Sequence, residues 1–414
     1  MSSDHFHLFD VTGIELEYMI VDRKTLNVLP VCDELLRQVT GEITADFENG
    51  SIAWSNELVN HVVELKTNGP VKSRYGLHHE FHNNVLQINE ILAKFDACLL
   101  PGGAHPWMNP RKETSLWKHE FNEIYTLYDR IFDCRGHGWS NLQSTHINLP
   151  FSGDDEFKRL HAAVRMVLPI IPAIAASTPF LDGLYTGFHD SRMETYRHNQ
   201  EKIPSIAGVI IPEAVFSKQE YHLRIFDPIV HDIAPFDHDK VLNKHFLNSR
   251  GAISRFDRGA IEIRIIDNQE SPLADMAVVD AVVGLIKLTA DGFFSPLSEQ
   301  VNWHENTLAA IFLKTIRESD MAVIENSLYL DFWGCQQHLM TAGDLWRYLL
   351  PSLQGVMEPV YFEVFSKILN AGTLARRLLT VMGTDFSREH FYYVYDKLAQ
   401  CLAANRLFGT DADD

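Results

Sequence analysis

Apolar and polar residues alternate with period two in four separated stretches of the chain, and in each the polar positions carry charge or strong ligand atoms. In "GIELEYMIVD", Ile14, Leu16, Tyr18 and Ile20 share one face of a strand while Glu15 and Glu17 share the other. "HVVELKT" separates Val63 and Leu65 from Glu64 and Lys66. "STHINLP" separates Thr145, Ile147 and Leu149 from His146 and Asn148, and "GAIEIRIID" separates Ile261, Ile263 and Ile265 from Glu262 and Arg264. One such strand alone reads as half-solvated. Four of them, with polar ridges of Glu, His, Asn, Lys and Arg instead of the usual Thr, Lys, Ser and Gln, predict strands of one sheet whose polar sides converge on one surface.

Between these strands the pattern changes to helical. Residues 10 to 70 read as strands and turns closed by "TNGP". A helix is predicted from about 77 to 98, with Phe81, Val85, Ile88, Leu92 and Phe95 at helical spacing, ending at the breakers of "PGGAHP". Residues 114 to 133 and 155 to 177 also read as helices. "STPFLDGLYTGFHDSR" reads as a loop, "YHLRIFDP" as a further strand, and from Asp275 onward nearly every segment is helical. The expected fold is α+β: a mainly antiparallel sheet flanked by helices, with a helical C-terminal third. With no linker or repeat, residues 1–414 are expected to form one catalytic domain, a sheet-bearing core over 10–275 with a helical part over 276–414 packed on it.

Four carboxylates gathered on one surface repel unless cations sit between them. An oxygen-rich set with one imidazole suits a hard divalent cation, Mg²⁺ or Mn²⁺, and an adjacent Arg suits phosphate or carboxylate. The 414 residues suffice for a large core, and a formal net charge of −19 argues against nonspecific binding to nucleic acid or anionic membrane while leaving nucleotides open. Five scattered cysteines, at 32, 98, 134, 335 and 401, form neither a zinc pattern nor a disulfide framework. "MSSDHFHLFD" lacks the basic segment and apolar core of a signal peptide, and "AVRMVLPIIPAIAAS" is interrupted by Pro169 and Pro172, so the expected location is cytoplasmic.

Other residues stay open on sequence alone. Glu57 is a ligand or a surface carboxylate, and Lys66 a substrate contact or a strand-end salt bridge. Arg250, Arg255 and Arg258 of "SRGAISRFDRG" form a triphosphate-binding stretch or a salt-bridged loop. His78 and His82, four apart, read as a solvated helix start because no third zinc ligand is implied. Asp182, Gly103 and Gly187 read as turn positions.

These residues also carry a family resemblance. "GIELEYMIVD", "VVELKTNGP", "GGAHP", "AASTPFLDGLYTGFHDSR", "GAIEIRIID" and "GTLARRLL" are similar, in order and rough spacing over about residues 12 to 385, to motifs of the glutamate–cysteine ligase type 2 family of carboxylate–amine ligases. The chain departs from bacterial members at "THINL", where Asn148 replaces the second His of H-x-H, as in plant-type members. It also departs in the arginine spacing of "RFDRGAIEIR". The resemblance implies a funnel-shaped sheet of the glutamine synthetase/guanido kinase type that binds metal-ATP. It implies a glutamate–cysteine ligase activity of glutathione biosynthesis, forming a γ-glutamyl amide through an acyl phosphate. Glu15, Glu17, Glu64 and Glu262 are then metal ligands, and His146, Asn148, Arg255 and Arg258 contacts to the nucleotide. Arg264 and Arg192 are catalytic, clamping phosphate or substrate carboxylate. The partners are small molecules, and self-association stays open. Two alternatives remain: ligation of glutamate or a similar acid to another amine, and a noncatalytic nucleotide or amino-acid binder of the same fold.

Overall fold

In the computed structural model, which describes residues 6–410, the four alternating stretches are strands of one eight-stranded sheet. The strands are β1 (Gly13–Asp22), β2 (Asp46–Asn49), β3 (Ile52–Asn56), β4 (Val62–Thr67), β5 (Ala97–Leu100), β6 (Ser144–Pro150), β7 (Ala252–Arg255) and β8 (Ala260–Asp267). Their order is β2-β3-β4-β1-β6-β8-β7, all antiparallel, with β5 paired to the second half of β1 beyond the stretch that β6 occupies. Register follows from the alternation, since a slip by one residue would turn the apolar ridges into the cavity. It sets Glu17 opposite Glu64, Glu15 opposite both Lys66 and His146, and Glu262 opposite Asn148. Directly opposed residues share a face, so the polar ridges form one surface.

Seven helices matter for the site and its support: α1 (Leu77–Leu92), α2 (Asn122–Phe132), α3 (Gly153–Val167), α4 (Ser191–Tyr196), α5 (Pro272–Ala290), α6 (Leu374–Met382) and α7 (Arg388–Ala404). The apolar ridges Ile14/Leu16/Tyr18, Val63/Leu65, Ile147/Leu149 and Ile261/Ile263 share a buried core with Phe81, Val85 and Ile88 of α1, Phe157 and Leu160 of α3, and most of α5. Helix α5 is buried along most of its length, with Asp275 and Asp280 as buried charged residues and Lys287 exposed near its end. It starts at Pro272 in its first turn behind the capping hydroxyl of Ser271. Helices α6 and α7 close a second core over the far end of β1, around Met19, Val21 and Leu100. Among the described residues no helix is long and apolar enough to cross a membrane.

Several elements differ from the sequence reading. "YHLRIFDP" is helical, in a continuous Lys218–Ile233 segment with a π-helical turn over His222–Phe226. Tyr221, Ile225, Phe226, Ile229 and Ile233 are its buried residues, a helical spacing that the short alternation Tyr221/Leu223/Ile225 had masked. The helix predicted to 98 ends at Leu92. After a turn with Asp96 in the left-handed region (φ 53°), Ala97–Leu100 becomes β5. The 155–177 helix ends at Val167 and is followed around Pro169 and Pro172 by two short turns, Leu168–Ile170 and Pro172–Ala175, and the 114–133 helix starts only at Asn122. Residues 10–70 contain one helix, Cys32–Thr40. Asp182 and Gly187 have the positive φ of turn residues, whereas Gly103 is required by a close approach: a Cβ there would lie 2.7 Å from Asp267 Cγ and 2.8 Å from Thr178 Cγ2. His78 is buried against the Tyr361 hydroxyl (3.1 Å) instead of solvated, and His82 bonds the Ala403 carbonyl.

One carboxyl behind the sheet ties β6 to α5. Asp275 is fully buried, and its Oδ1 accepts from Thr145 Oγ1 (3.0 Å) and Gln269 N (2.8 Å). Burial, opposed by these two bonds, pushes its pKa from 3.8 up to about 8. A carboxyl raised on folding contributes full stability below its unfolded value and loses it as pH rises through the folded value, here between about 4 and 8. Asp275→Asn keeps an acceptor for both donors. It should flatten the fall in Tm between pH 5 and 9, leaving the variant about 1–3 °C more stable than wild type at pH 9. Thermal denaturation followed by circular dichroism checks this, and an unchanged pH slope would show that Asp275 ionises at no cost.

Candidate active site

The polar face of the sheet floors a cavity of about 990 Å³ roofed in part by α2 and α4. All ten residues singled out from the sequence border it: Glu15, Glu17, Glu64, Glu262, His146, Asn148, Arg192, Arg255, Arg258 and Arg264. They divide into an acidic centre on β1, β4 and β6 and a guanidinium-bearing end on β7, β8, their turn and α4. Glu262, expected among the metal ligands, pairs instead with Arg264 and Arg255 and belongs to neither close carboxylate group among the described residues.

The acidic centre contains two groups whose ligand atoms lie within 4.8 Å of one another, Glu15/Glu64/His146 and Glu17/Glu57/Glu64. Glu15 accepts from Asn148 Nδ2 (3.0 Å) and pairs with His146 Nδ1 (2.8 Å). Burial pushes the Glu15 carboxyl up, but His146, Lys66 and Asn148 together outweigh it and hold the pKa at about 2. Burial likewise opposes protonation of His146, yet Glu15, Glu17 and Glu262 raise it to about 9. Glu17 accepts from the backbone N (2.7 Å) and Oγ (3.1 Å) of Ser144. Glu64 accepts from Ser55 Oγ (2.7 Å) and pairs with Lys66 Nζ (3.1 Å), and Lys66 reaches Asp46 at the same distance. Burial and the neighbouring Glu15 still push Glu64 up to about 7. Glu57 is raised well above the carboxylate range by burial, then by Glu17, Glu64 and Glu15.

At the other end Arg264 pairs with Glu262 and reaches the Tyr196 hydroxyl (3.4 Å). Arg255 pairs with Asp257 (3.2 Å) and more loosely with Glu262 (3.5 Å), while Arg258 stands exposed on the turn between β7 and β8. Arg192 differs from these. It is 2% exposed, bonds Asp267 Oδ1 through Nε (2.5 Å), and its terminal nitrogens reach the Arg264 carbonyl (3.3 and 3.4 Å). Asp267 is held in turn by Ser177 N (2.8 Å) and Thr178 Oγ1 (2.9 Å). The loop "ASTPFLDGLYTGFHDSR" therefore buttresses the backbone of Arg264 from behind. The β8–β6 register shifts between Ile263 and Ile266, a bulge flanking Arg264 that the even alternation of "GAIEIRIID" does not display.

Sequence reasoning left Glu57 open, and the cavity contains it. It follows Asn56 at the end of β3, outside any alternating run, so periodicity could not assign it a face. Tyr125 and Tyr196, which reach Asn56 Nδ2 (3.2 Å) and Arg264, were also missed, because a helical aromatic carries no signal of which cavity it roofs.

The family model of glutamate–cysteine ligase family 2 matches residues 11–312. The chain belongs to that family. An uncharacterized protein of Archaeoglobus fulgidus is 28% identical to this family member over 96% of the chain and 99% of its own length. A Legionella pneumophila protein with the provisional name glutamate–cysteine ligase 2-1 is 28% identical over 44% of each chain. Among solved structures, glutamate–cysteine ligase of Francisella tularensis in complex with AMP superimposes with a TM-score of 0.62 at 12% identity, over 99% of this chain and 91% of that one. That likeness establishes the fold, the flanked antiparallel sheet of carboxylate–amine ligases in the glutamine synthetase class.

The donor chemistry fits a hard divalent cation. Five glutamates and one imidazole face one space, and burial first, then the neighbouring glutamates, raises Glu57 and Glu64 against the opposing pull of Lys66. Without metal these raised carboxyls cost stability, which falls as pH rises from the unfolded carboxyl value, 4.5, through the raised folded values. Glu57→Gln should therefore raise Tm in chelator at pH 8 by about 1–3 °C and shrink the stabilisation that added Mn²⁺ confers. Thermal shift with and without Mn²⁺ reads both. A variant no more stable than wild type in chelator would show Glu57 to be free of repulsion.

Proposed function

We propose that the protein is an ATP-dependent carboxylate–amine ligase that activates a carboxylate, glutamate by the family name, as an acyl phosphate and transfers it to an amine. The observation that carries this reading is the pairing, in one cavity, of two carboxylate-rich groups sharing Glu64 with a guanidinium end built on Arg264. Phosphoryl transfer needs positioning and neutralisation of charge on the phosphate oxygens, and the two ends supply the halves of that requirement. Nucleotide binding is further supported by the AMP in the Francisella tularensis structure of the same fold.

Glu15, Glu64 and, once it has lost its proton, His146 would hold one Mg²⁺ or Mn²⁺, and Glu17, Glu57 and Glu64 another. A bound divalent cation supplies neutralising charge to phosphate and carboxylate oxygens. The chain's own groups do the rest. Arg264, fixed in direction by Glu262 and by the Arg192–Asp267 buttress on its carbonyl, presents its fork to the transferring phosphoryl group. Arg192 acts as a positioning residue. Arg255 and Arg258 extend the cationic surface toward the nucleotide, and Asn148 and Ser144 keep Glu15 and Glu17 oriented. An oxygen of the substrate carboxylate attacks the γ-phosphorus, and the bond to ADP breaks. The amine nitrogen then attacks the acyl carbon, the C–O bond to phosphorus breaks, and inorganic phosphate leaves as the nitrogen loses a proton.

ATP should accordingly yield ADP and phosphate, and ¹⁸O from the labelled carboxylate should appear in the phosphate. Label in AMP would show adenylation and overturn this chemistry. Glu262→Gln, which removes the carboxylate that directs Arg264, should lower turnover about tenfold or more. Arg264→Lys, which keeps the charge and loses the planar fork, should lower kcat about tenfold or more with a smaller change in KM. Steady-state kinetics with near-normal kcat in either variant would remove that residue from the reaction.

A further inference from the structure

The late motif "GTLARRLL", residues 372–379, does not border the cavity, yet two of its side chains converge on Ser319 and Asp320 at the end of the helix Glu305–Glu318. Ser319 is fully buried, with φ 46° and ψ −123°, a conformation that suits glycine and strains any other residue. Its Oγ lies 3.0 Å from Asp320 Oδ1, 2.6 Å from His189 Nδ1 and 3.2 Å from Thr373 Oγ1. A carboxylate only accepts, so the one hydroxyl proton goes to Asp320, and Oγ accepts from His189 Nδ1 and Thr373 Oγ1. Asp320 is held in turn by Arg376. One hydroxyl thus joins the helix end, the late motif and the loop that carries Arg192.

Backbone contacts carry this junction on to Arg192. The carbonyls of Ile316 and Arg317, just before Ser319, accept from the backbone N of Asp190 (2.9 Å) and of His189 (3.0 Å). Thr178 holds the same two residues from the other side. Its N donates to the His189 carbonyl (3.1 Å), and its carbonyl accepts from Ser191 N (3.0 Å). Its Oγ1 accepts from Arg192 N (3.1 Å) and donates to Asp267 (2.9 Å). Asp190 Oδ1 accepts from Met193 N (2.8 Å) and caps α4, the helix of Arg192. Both members of the Arg192–Asp267 pair, and with them the support of the Arg264 carbonyl, depend on where His189 and Asp190 stand.

We propose that Ser319 is a positioning residue for the reaction. Through His189 it sets Arg192, and through Arg192 the direction of the Arg264 fork, with Thr373 and Arg376 of the late motif holding it in place. This rests on the ligase reading. A turn needed only to end the helix would be served without strain by glycine. A serine kept at positive φ persists where its surroundings over-determine it, and such residues gather where geometry serves function. The distance to the cavity is no obstacle, because a misplacement of about 1 Å at a reacting group costs on the order of 10²-fold in rate.

The test uses the full-length protein with ATP, Mg²⁺, glutamate and hydroxylamine, which captures the acyl phosphate as a hydroxamate. Ser319→Ala should lower kcat about tenfold or more while changing KM for ATP less than about threefold. In an Arg192→Lys background the same change should cost less than about twofold, because the path it acts through is already broken. His189→Leu should reproduce the loss in kcat, and His189→Asn, whose amide nitrogen can donate where Nδ1 does, should restore most of it. Melting temperatures separate lost alignment from lost folding, and if Ser319→Ala does not fold, the His189 pair carries the test in both backgrounds. Near-normal kcat in Ser319→Ala and His189→Leu, a loss of equal size in both Arg192 backgrounds, a loss confined to KM, or no recovery with His189→Asn would overturn the positioning role alone. Absence of hydroxamate with the unaltered protein would overturn the ligase reading and this inference with it.

Discussion

Opposing like charges across antiparallel strands is the constraint on which the rest of this structure depends. Glu17 faces Glu64 in the β1–β4 register, a pairing that is destabilising in an ordinary sheet. The register is nonetheless held, because Leu16, Tyr18, Val63 and Leu65 alternate with these residues and are fully buried on the reverse side against α1, α3 and α5. Sliding either strand by one residue would separate the glutamates and expose that entire apolar ridge, at a cost of several side chains each worth about 1.5–3 kcal/mol. The core thus enforces an electrostatic arrangement that the polar face alone would reject, and partial neutralisation by Lys66 and His146 makes it tolerable.

The guanidinium end is built on the opposite plan, by satisfaction instead of conflict. Arg264 has a carboxylate in front, and behind its carbonyl stands a buried pair, Arg192 and Asp267, anchored by Ser177 and Thr178. Gly103 is part of the same support, since no side chain fits between it and Asp267. One end of the cavity therefore holds unresolved negative charge and the other holds rigidly aimed positive charge. A polyanionic nucleotide with divalent cations is complementary to both together and to neither alone.

Much of this was legible from alternation. Glu15, Glu17, Glu64, His146, Asn148, Glu262 and Arg264 sit at fixed parity in strands, so period two assigns them a face, and a shared charge pattern assigns the strands to one sheet. What stayed hidden lacks such parity. Glu57 follows the end of β3, the bulge at Ile263–Ile266 breaks the repeat without a Gly or Pro to announce it, and Tyr125 and Tyr196 reach the cavity from helices. Arg192 was placed at the site by resemblance, while its engagement with Asp267 depends on a contact 75 positions away that no local pattern encodes. The Lys218–Ile233 segment failed for a related reason: its alternation is short enough to satisfy both periods, and only packing of Tyr221, Phe226 and Ile229 decides between them.

The proposal that this cavity holds divalent cations against phosphate is tested most directly by anomalous diffraction from crystals grown with Mn²⁺ and a non-hydrolysable ATP analogue. Peaks are expected between Glu15, Glu64 and His146 and between Glu17, Glu57 and Glu64, with the nucleotide's phosphates toward Arg264. Bound nucleotide with no manganese at either group, or with its phosphates away from Arg264, would contradict the pairing of the two ends.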